Sequence, residues 1–289
     1  MSLTVRRHAS VDEFLSAGGA FLGEREAENN LLFGISSAIR ATPEVFADEP
    51  PQFATVTDAG GRVLAATLRT PPHNQVLSAI DDLAAVHALI EALHDEPLPG
   101  VLGPTEVAAR FAAGWTGVTG QVARLEIAER TFRLERVVPP ERPAAGSWRM
   151  AKERDRDLIT HWVIAFTAEA LPEAPPVPDP AAVADRWIQR RGRVAYLWED
   201  GERVVSWVGA GGETPHGIRI GPVYTPPSLR NRGYASSLTA AASADQLAAG
   251  RRFCFLFTDL ANPTSTKIYQ AIGYLPVCDV DQYRFATDA

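Results

Sequence analysis

Two cysteines in 289 residues leave no room for a disulfide framework, and neither stands at a metal-ligand or redox spacing. Cys254 sits inside Phe253-Cys254-Phe255-Leu256-Phe257 and reads as a core residue, as does Cys278 near the final strand. No apolar run approaches the ~20 residues of a membrane-spanning helix. The opening Ser2-Leu3-Thr4-Val5-Arg6-Arg7-His8 lacks the apolar stretch of a secretory signal, so a reduced, cytoplasmic setting is expected. Six histidines show no ligand spacing (His87 and His94 come nearest), and no metal is expected. A net charge of −7 argues against a general nucleic-acid binder and favours neutral or cationic small partners. Two phosphate-binding signatures are also missing: Gly-Lys-Ser/Thr, and Gly-x-Gly-x-x-Gly opening a βαβ unit. There is no Gly-x-Ser-x-Gly elbow and no Cys/His nucleophile pair, so chemistry through a covalent enzyme adduct is not expected.

What is present centres on residues 218–250. Ile218 to Val223 carries the β-branched residues of a strand, and Pro226-Pro227 ends it. Tyr234 to Ala249 is rich in alanine and leucine without proline or glycine, which predicts a helix stopped at Gly250. Between them lies Leu229-Arg230-Asn231-Arg232-Gly233. A strand-to-helix junction of this kind offers unpaired backbone N–H groups at a helix start, where anions bind. Gly233 brings no side chain to hold a ligand off, and Arg230 and Arg232 add positive charge. The stretch reads as a diphosphate cradle.

Arg230-x-x-Gly233-x-Ala235 resembles the Arg/Gln-x-x-Gly-x-Gly/Ala coenzyme A loop of the GCN5-related N-acetyltransferases. A second block, Asn262-Pro263-Thr264-Ser265-Thr266-Lys267-Ile268-Tyr269-Gln270-Ala271-Ile272-Gly273-Tyr274, follows it across one helix and the strand Phe253 to Thr258. In that family an Asn before a short helix, a Tyr within it and a Gly-Tyr or Gly-Phe after it come in this order. The resemblance covers roughly 149–285. It implies an α/β fold with a twisted, mostly antiparallel mixed sheet, and acetyl-CoA as co-substrate. Acetyl and pantetheine contacts are implied at Val223, Tyr224 and Thr225. The diphosphate would lie on the amides of Asn231, Arg232, Gly233, Tyr234, Ala235 and Ser236, with help from the Arg230 and Arg232 side chains. Asn262 is implied to bind the pantetheine arm or to cap the helix, and Ser265 is a second cap candidate. Tyr269 is implied as the general acid for the leaving thiolate; a phenol near pKa ~10 is protonated at neutral pH.

The first half has the same order of elements without the cradle. A helical region over Val11 to Ile39 leads to a hairpin, Phe53 to Thr57 and Val63 to Leu68, around Asp58-Ala59-Gly60-Gly61. A strand at Gln75 to Ile80, a helix at Asp81 to His94, a short strand at Val101-Leu102, a helix from Glu106 to Trp115 and closing strands over Val122 to Val138 follow. The second half reads as a strand at Ser147 to Met150, helices at Asp157–Glu169 and Ala181–Arg190, and a hairpin of Val194–Trp198 with Val204–Val208. Arg62-Val63-Leu64 corresponds to Arg203-Val204-Val205, and Phe132-Arg133-Leu134 to Tyr283-Arg284-Phe285. An internal duplication accounts for these matches, and so does chance likeness between two α/β units. Where the second half has its cradle, the first has Asp81 and Asp82, which suit a helix cap but repel a diphosphate. The expected organisation is a degenerate unit at 1–138, a proline-rich linker at 139–146 and a catalytic unit at 147–289.

The expected activity is transfer of an acetyl group from acetyl-CoA to a primary amine of a small molecule or peptide. A non-catalytic acyl-CoA sensor is the alternative. The attacking amine must lose a proton, and Glu169, Glu213, His216 or a water chain are all open as its base. Trp162, Phe166 and Trp207 are either core or the lining of an acceptor pocket, with Leu171 to Pro180 as its lid.

Overall fold

The computed structural model describes residues 2–170 and 176–287. The chain divides into two compact units, one of Met1–Phe132, Phe257–Pro263 and Pro276–Ala289, the other of Arg133–Leu256 and Thr264–Leu275.

The first unit begins with strand β1 (Thr4–His8), helices α1 (Val11–Glu24) and α2 (Asn30–Ala41), and strands β2 (Gln52–Thr57), β3 (Val63–Arg69) and β4 (Gln75–Leu77). Helix α3 (Leu83–Leu93), β5 (Gly100–Pro104), α4 (Thr105–Thr119) and β6 (Val122–Leu134) complete its order. The expected long helical region is thus two helices. Ser10 caps the first through Glu13 N, and the side-chain amide of Asn29 donates to the Leu22 carbonyl in the break between them. Strands β1 to β4 pair antiparallel in sequence order, and β4 pairs parallel with β5. Trp115, Phe111 and Phe285 stack in the apolar core of this unit.

The second half of the sequence repeats this order of elements: β7 (Ser147–Met150), α5 (Arg156–Ala170), α6 (Pro180–Ile188), β8 (Arg193–Asp200), β9 (Arg203–Glu213), β10 (Gly217–Tyr224), α7 (Tyr234–Ala248), β11 (Phe253–Asp259), α8 (Pro263–Ala271) and β12 (Leu275–Ala286). Its pairings repeat as well. Strands β7 to β10 are antiparallel neighbours, and β10 pairs parallel with β11. The two halves therefore share one topology, and Val63 and Arg203, from the two matched triplets, open equivalent strands.

One strand departs from the simple division into 1–138 and 147–289. Strand β12 pairs antiparallel with β5, from Val280 opposite Pro104 to Arg284 opposite Gly100, and so completes the first unit's sheet. Two donors of Arg130 grip Asp279 at 2.6 and 2.9 Å from the neighbouring strand β6. Gly100 is needed there, since a Cβ would stand 2.1 Å from the Tyr283 carbonyl oxygen.

The stretch expected as a linker is fixed to the second unit. Val138 N donates to Ile272 O, Ala144 N to Ser237 Oγ at 2.9 Å, and the Trp198 indole to Ala145 O at 2.7 Å. Proline supplies no N–H, so the segment takes its bonds from the residues between its prolines. Half of the expected lid, 171–175, lies outside the described residues.

Candidate active site

The site is built where β10 stops following β11. The two strands pair at Gly217, Ile218 and Arg219 against Phe253, Cys254 and Phe255, and the ladder ends there. On its other edge β10 stays with β9 through Tyr224, past an irregularity between Ile220 and Val223 that holds Gly221 and Pro222. The edge of β10 facing β11 is therefore unpaired over its last residues, and unpaired backbone groups seek a partner.

After Tyr224 the chain turns through Pro226 and Pro227 and enters α7. Asn231 and Gly233 both have left-handed backbones, with φ of 63° and 79°. Two such residues within three positions are the backbone habit of anion-binding nests. No side chain caps α7 at Gly233. Among the described residues, no carbonyl or side chain accepts from the amides of residues 231–236. Helix α7 thus presents its positive end and its orphan donors outward, a fit for a diphosphate. A Cβ on Gly233 would meet the Arg142 carbonyl only at 3.6 Å, so the glycine answers to backbone angle, not crowding.

The side chains around this turn differ in availability. Asn231 and Arg232 are exposed, while the Tyr234 ring is buried and its hydroxyl donates to Asp200, leaving only its main chain for a ligand. Arg230 is turned away. Its Nη atoms meet Glu169 at 2.6 and 2.7 Å, and its Nε donates to the Thr225 carbonyl at 2.9 Å. The side-chain charge expected for the diphosphate is spent on bracing the loop, because Glu169 closes α5 just across from it. Glu169 is held below the usual carboxylate range, first by this hydrogen bond. Thr225 and Ser206 share a 2.8 Å hydroxyl contact, and Ser206 also donates to the Tyr224 carbonyl. The strand end is thus held from β9 by Ser206 and from the turn by Arg230.

Tyr269 lies on α8 with its ring 6.1 Å from that of Tyr274, edge to face. Burial alone pushes its phenol up to about 12. The hydroxyl has no hydrogen-bond partner among the described residues, unlike Tyr274, whose hydroxyl meets Ser243 at 2.8 Å. Ser265 lies in the first turn of α8, half-buried, and Asn262 precedes the helix with its amide donating to Asp259 O.

On the opposite sheet face, α5 and α6 cover Trp162, Trp187, Trp207 and Tyr224 in one apolar cluster. Trp162 also lines an open cleft of about 500 Å³ with Leu158, Val204, Pro226 and Leu229, beside the turn that leads to Gly233. Phe166 packs at the edge of the cluster, and Trp207 is core, though its indole N–H is buried without an acceptor among the described residues. Cys254 is fully buried and its thiol is pushed up to about 12 by burial, which leaves it inert. Glu213 pairs with Arg251 at the far end of β9, remote along the strand from the Tyr224 end.

The sequence profile of the acetyltransferase (GNAT) family matches residues 159–274, a span that runs from α5 through the Gly233 turn to the end of α8. The second unit is a GNAT domain. Acyl transfer from acetyl-CoA is the general chemistry of that family. Solved structures extend the fold likeness to the whole chain. A Drosophila protein superposes with a TM-score of 0.69 at 16% identity, covering 99% of each chain. A tandem GNAT protein from the clavulanic acid biosynthesis pathway gives 0.60 at 13% identity, over 99% of this chain and 98% of that one. A GCN5-related N-acetyltransferase from Sphaerobacter thermophilus gives 0.55 at 15%, over 98% and 95%. No curated protein matches by sequence. The chain accordingly has the tandem GNAT fold, and its first unit carries Asp82 as the cap of α3, bonded to Ala84 N, where the GNAT domain carries its bare turn. Among the described residues no group of three metal-ligating side chains occurs and no helix is long and apolar enough to cross a membrane.

Proposed function

We propose that the protein is an N-acyltransferase that moves the acetyl group of acetyl-CoA directly to a primary amine of a small molecule or peptide, using one site in the second unit. The observation that carries this reading is the uncapped, left-handed start of α7 at Gly233, with six successive amides unclaimed, inside the segment that matches the GNAT family. Acetyl-CoA supplies the activated thioester. The amides of Asn231, Arg232, Gly233, Tyr234, Ala235 and Ser236 hold its diphosphate, with Arg232 adding charge. Arg230 keeps the loop in shape through Glu169 and Thr225. The edge of β10 that β11 leaves unpaired near Val223, Tyr224 and Thr225 orients the thioester and steadies negative charge growing on its carbonyl oxygen. Tyr269, a phenol neutral at physiological pH and pushed up further by burial, holds the proton required by the departing sulfur.

The test is thiol release from acetyl-CoA across a panel of amines, with products read by mass spectrometry, beside calorimetric titration with acetyl-CoA. Binding together with acetylated product supports the assignment. Binding with no turnover on any amine would make the protein an acyl-CoA sensor, and absence of binding would remove the coenzyme site itself.

A further inference from the structure

Strand β9 begins as an apolar run, Val204-Val205-Ser206-Trp207-Val208, and Ser206 is the one polar residue in it. Its side chain is fully buried, so its hydroxyl must find protein partners. It finds them at the end of β10, beyond the last rung between β10 and β11. Tyr224 pairs with Trp207, which puts Thr225 opposite Ser206. The two hydroxyls meet at 2.8 Å, and Ser206 donates to the Tyr224 carbonyl at 3.1 Å. A serine hydroxyl has one proton. With that proton on the Tyr224 carbonyl, Thr225 is the donor to Ser206, and the chain of bonds runs from Thr225 through Ser206 to Tyr224. The Thr225 carbonyl is tied separately, by Arg230 Nε at 2.9 Å.

The Thr225 N–H is left over. Thr225 is 8% exposed, and among the described residues nothing accepts from its amide. A buried amide without a partner is rare and costly. Its direction follows from the carbonyl before it. The peptide plane joining Tyr224 to Thr225 is rigid, with its C=O and N–H on opposite sides. Ser206 holds the carbonyl toward β9, so the N–H faces the other edge of β10, the one that β11 leaves open. In an antiparallel ladder a residue directs its own N–H and C=O to the same neighbour, so the Tyr224 N–H faces β9 with its carbonyl. The amide that the open edge receives here is that of Thr225, and not that of Tyr224.

We propose that Ser206 is a positioning residue for acyl transfer: through the Tyr224 carbonyl it aims the Thr225 amide at the thioester, whose carbonyl oxygen accepts from it. The thioester's presence at this edge rests on the function proposed above. As the amine attacks the thioester carbon, the electron pair of the C=O bond moves onto oxygen, and a donor already fixed in direction meets the growing charge without reorganising. Ser206 itself touches neither substrate. Its hydroxyl acts on the reaction by holding one peptide plane.

The test uses the full chain with acetyl-CoA isotope-labelled at the thioester carbonyl carbon, in the absence of any amine. Infrared difference spectroscopy reads the carbonyl band, and calorimetry reads coenzyme affinity on the same samples. In the wild type the bound band should lie at lower wavenumber than that of free acetyl-CoA. Ser206→Ala should lose most of this displacement with coenzyme affinity unchanged, and Ser206→Thr, which keeps the hydroxyl, should restore it. Thermal unfolding verifies that the variants fold. Ser206→Cys, close to serine in shape but a weak donor, is the second variant if Ser206→Ala is unstable, and it too should lose displacement. A carbonyl band at the same position in wild type and in the folded alanine or cysteine variant overturns the positioning role and leaves the acyltransferase reading standing. Absence of acetyl-CoA binding in the wild type overturns both.

Discussion

Arg230 and Glu169 meet through two contacts, at 2.6 and 2.7 Å, and the same guanidinium reaches the Thr225 carbonyl. One side chain thereby joins the end of α5, the end of β10 and the turn that leads into α7. The arginine of the coenzyme motif acts here on the shape of its loop.

That arrangement predicts non-additivity. Glu169→Gln and Arg230→Gln should each weaken acetyl-CoA binding several-fold, and the double variant should be no weaker than Arg230→Gln alone. Both partners are more than a third exposed, so global stability should change by no more than about 1 kcal/mol. Calorimetry and denaturant titration read the two quantities. Unchanged coenzyme affinity in Glu169→Gln would show that the brace has no role in binding.

Gly233 combines φ of 79° with a Cβ position in ordinary van der Waals contact with the Arg142 carbonyl and Ala144, at 3.6–4.0 Å. Gly233→Ala should cost about 1–2 kcal/mol for the left-handed backbone and leave the fold intact. Gly233→Glu should eliminate acetyl-CoA binding, since it sets a carboxylate among the amides proposed to hold the diphosphate. Retention of affinity in the glutamate variant, measured by calorimetry, would move the coenzyme elsewhere.

Among the described residues none bonds to the Tyr269 hydroxyl, so Tyr269→Phe should leave the melting temperature unchanged. Turnover should fall about 100-fold or more with coenzyme affinity preserved. Because burial holds the phenol near 12, the turnover profile should show no alkaline limb from this group across the ordinary assay range. Equal kcat for the phenylalanine variant would take the acid role from Tyr269.

Asp155 is buried, which by itself raises a carboxyl pKa, yet Arg149 and the Lys152 amide outweigh burial and the net shift is downward. A lowered folded-state pKa means stability that is present above the unfolded value of about 3.9 and is lost as pH falls through the folded value. Asp155→Asn should therefore cost about 3 kcal/mol at neutral pH and flatten the acid limb of the stability curve. Urea titrations at neutral pH and at pH about 3 test it; an unaltered acid limb would assign that limb to other carboxylates.

A fragment of residues 147–289 should fold poorly. It lacks β5, the partner of β12, and lacks residues 138–145, whose backbone bonds reach Ile272, Ser237 and Trp198. Solubility and circular dichroism of the fragment check this; a soluble, cooperatively folded fragment would show that β12 is dispensable.

Much of the site was legible because its signals are local. Prolines at 226 and 227, Gly233 and the alanine-rich run after it act within a few residues of themselves, and they place the strand end, the left-handed turn and the helix start. Asp82 at the matching junction of the first unit was legible as a cap for the same reason. The role of the Arg230 side chain was not, because Glu169 lies 61 residues earlier in the chain. The break in the long first helical region depends on the Asn29 side chain finding the Leu22 carbonyl, which periodicity does not report.

The order of elements, its repetition and the bare helix start at Gly233 belong to the amino-acid sequence alone, since propensity, turn chemistry and motif spacing act at short range. Tertiary structure decided which strand β12 joins, which carboxylate holds Arg230 and which hydroxyl holds the Tyr224 carbonyl. Strand register joins residues far apart in the chain, and a pairing chosen by the packing of whole faces leaves no mark in any single stretch.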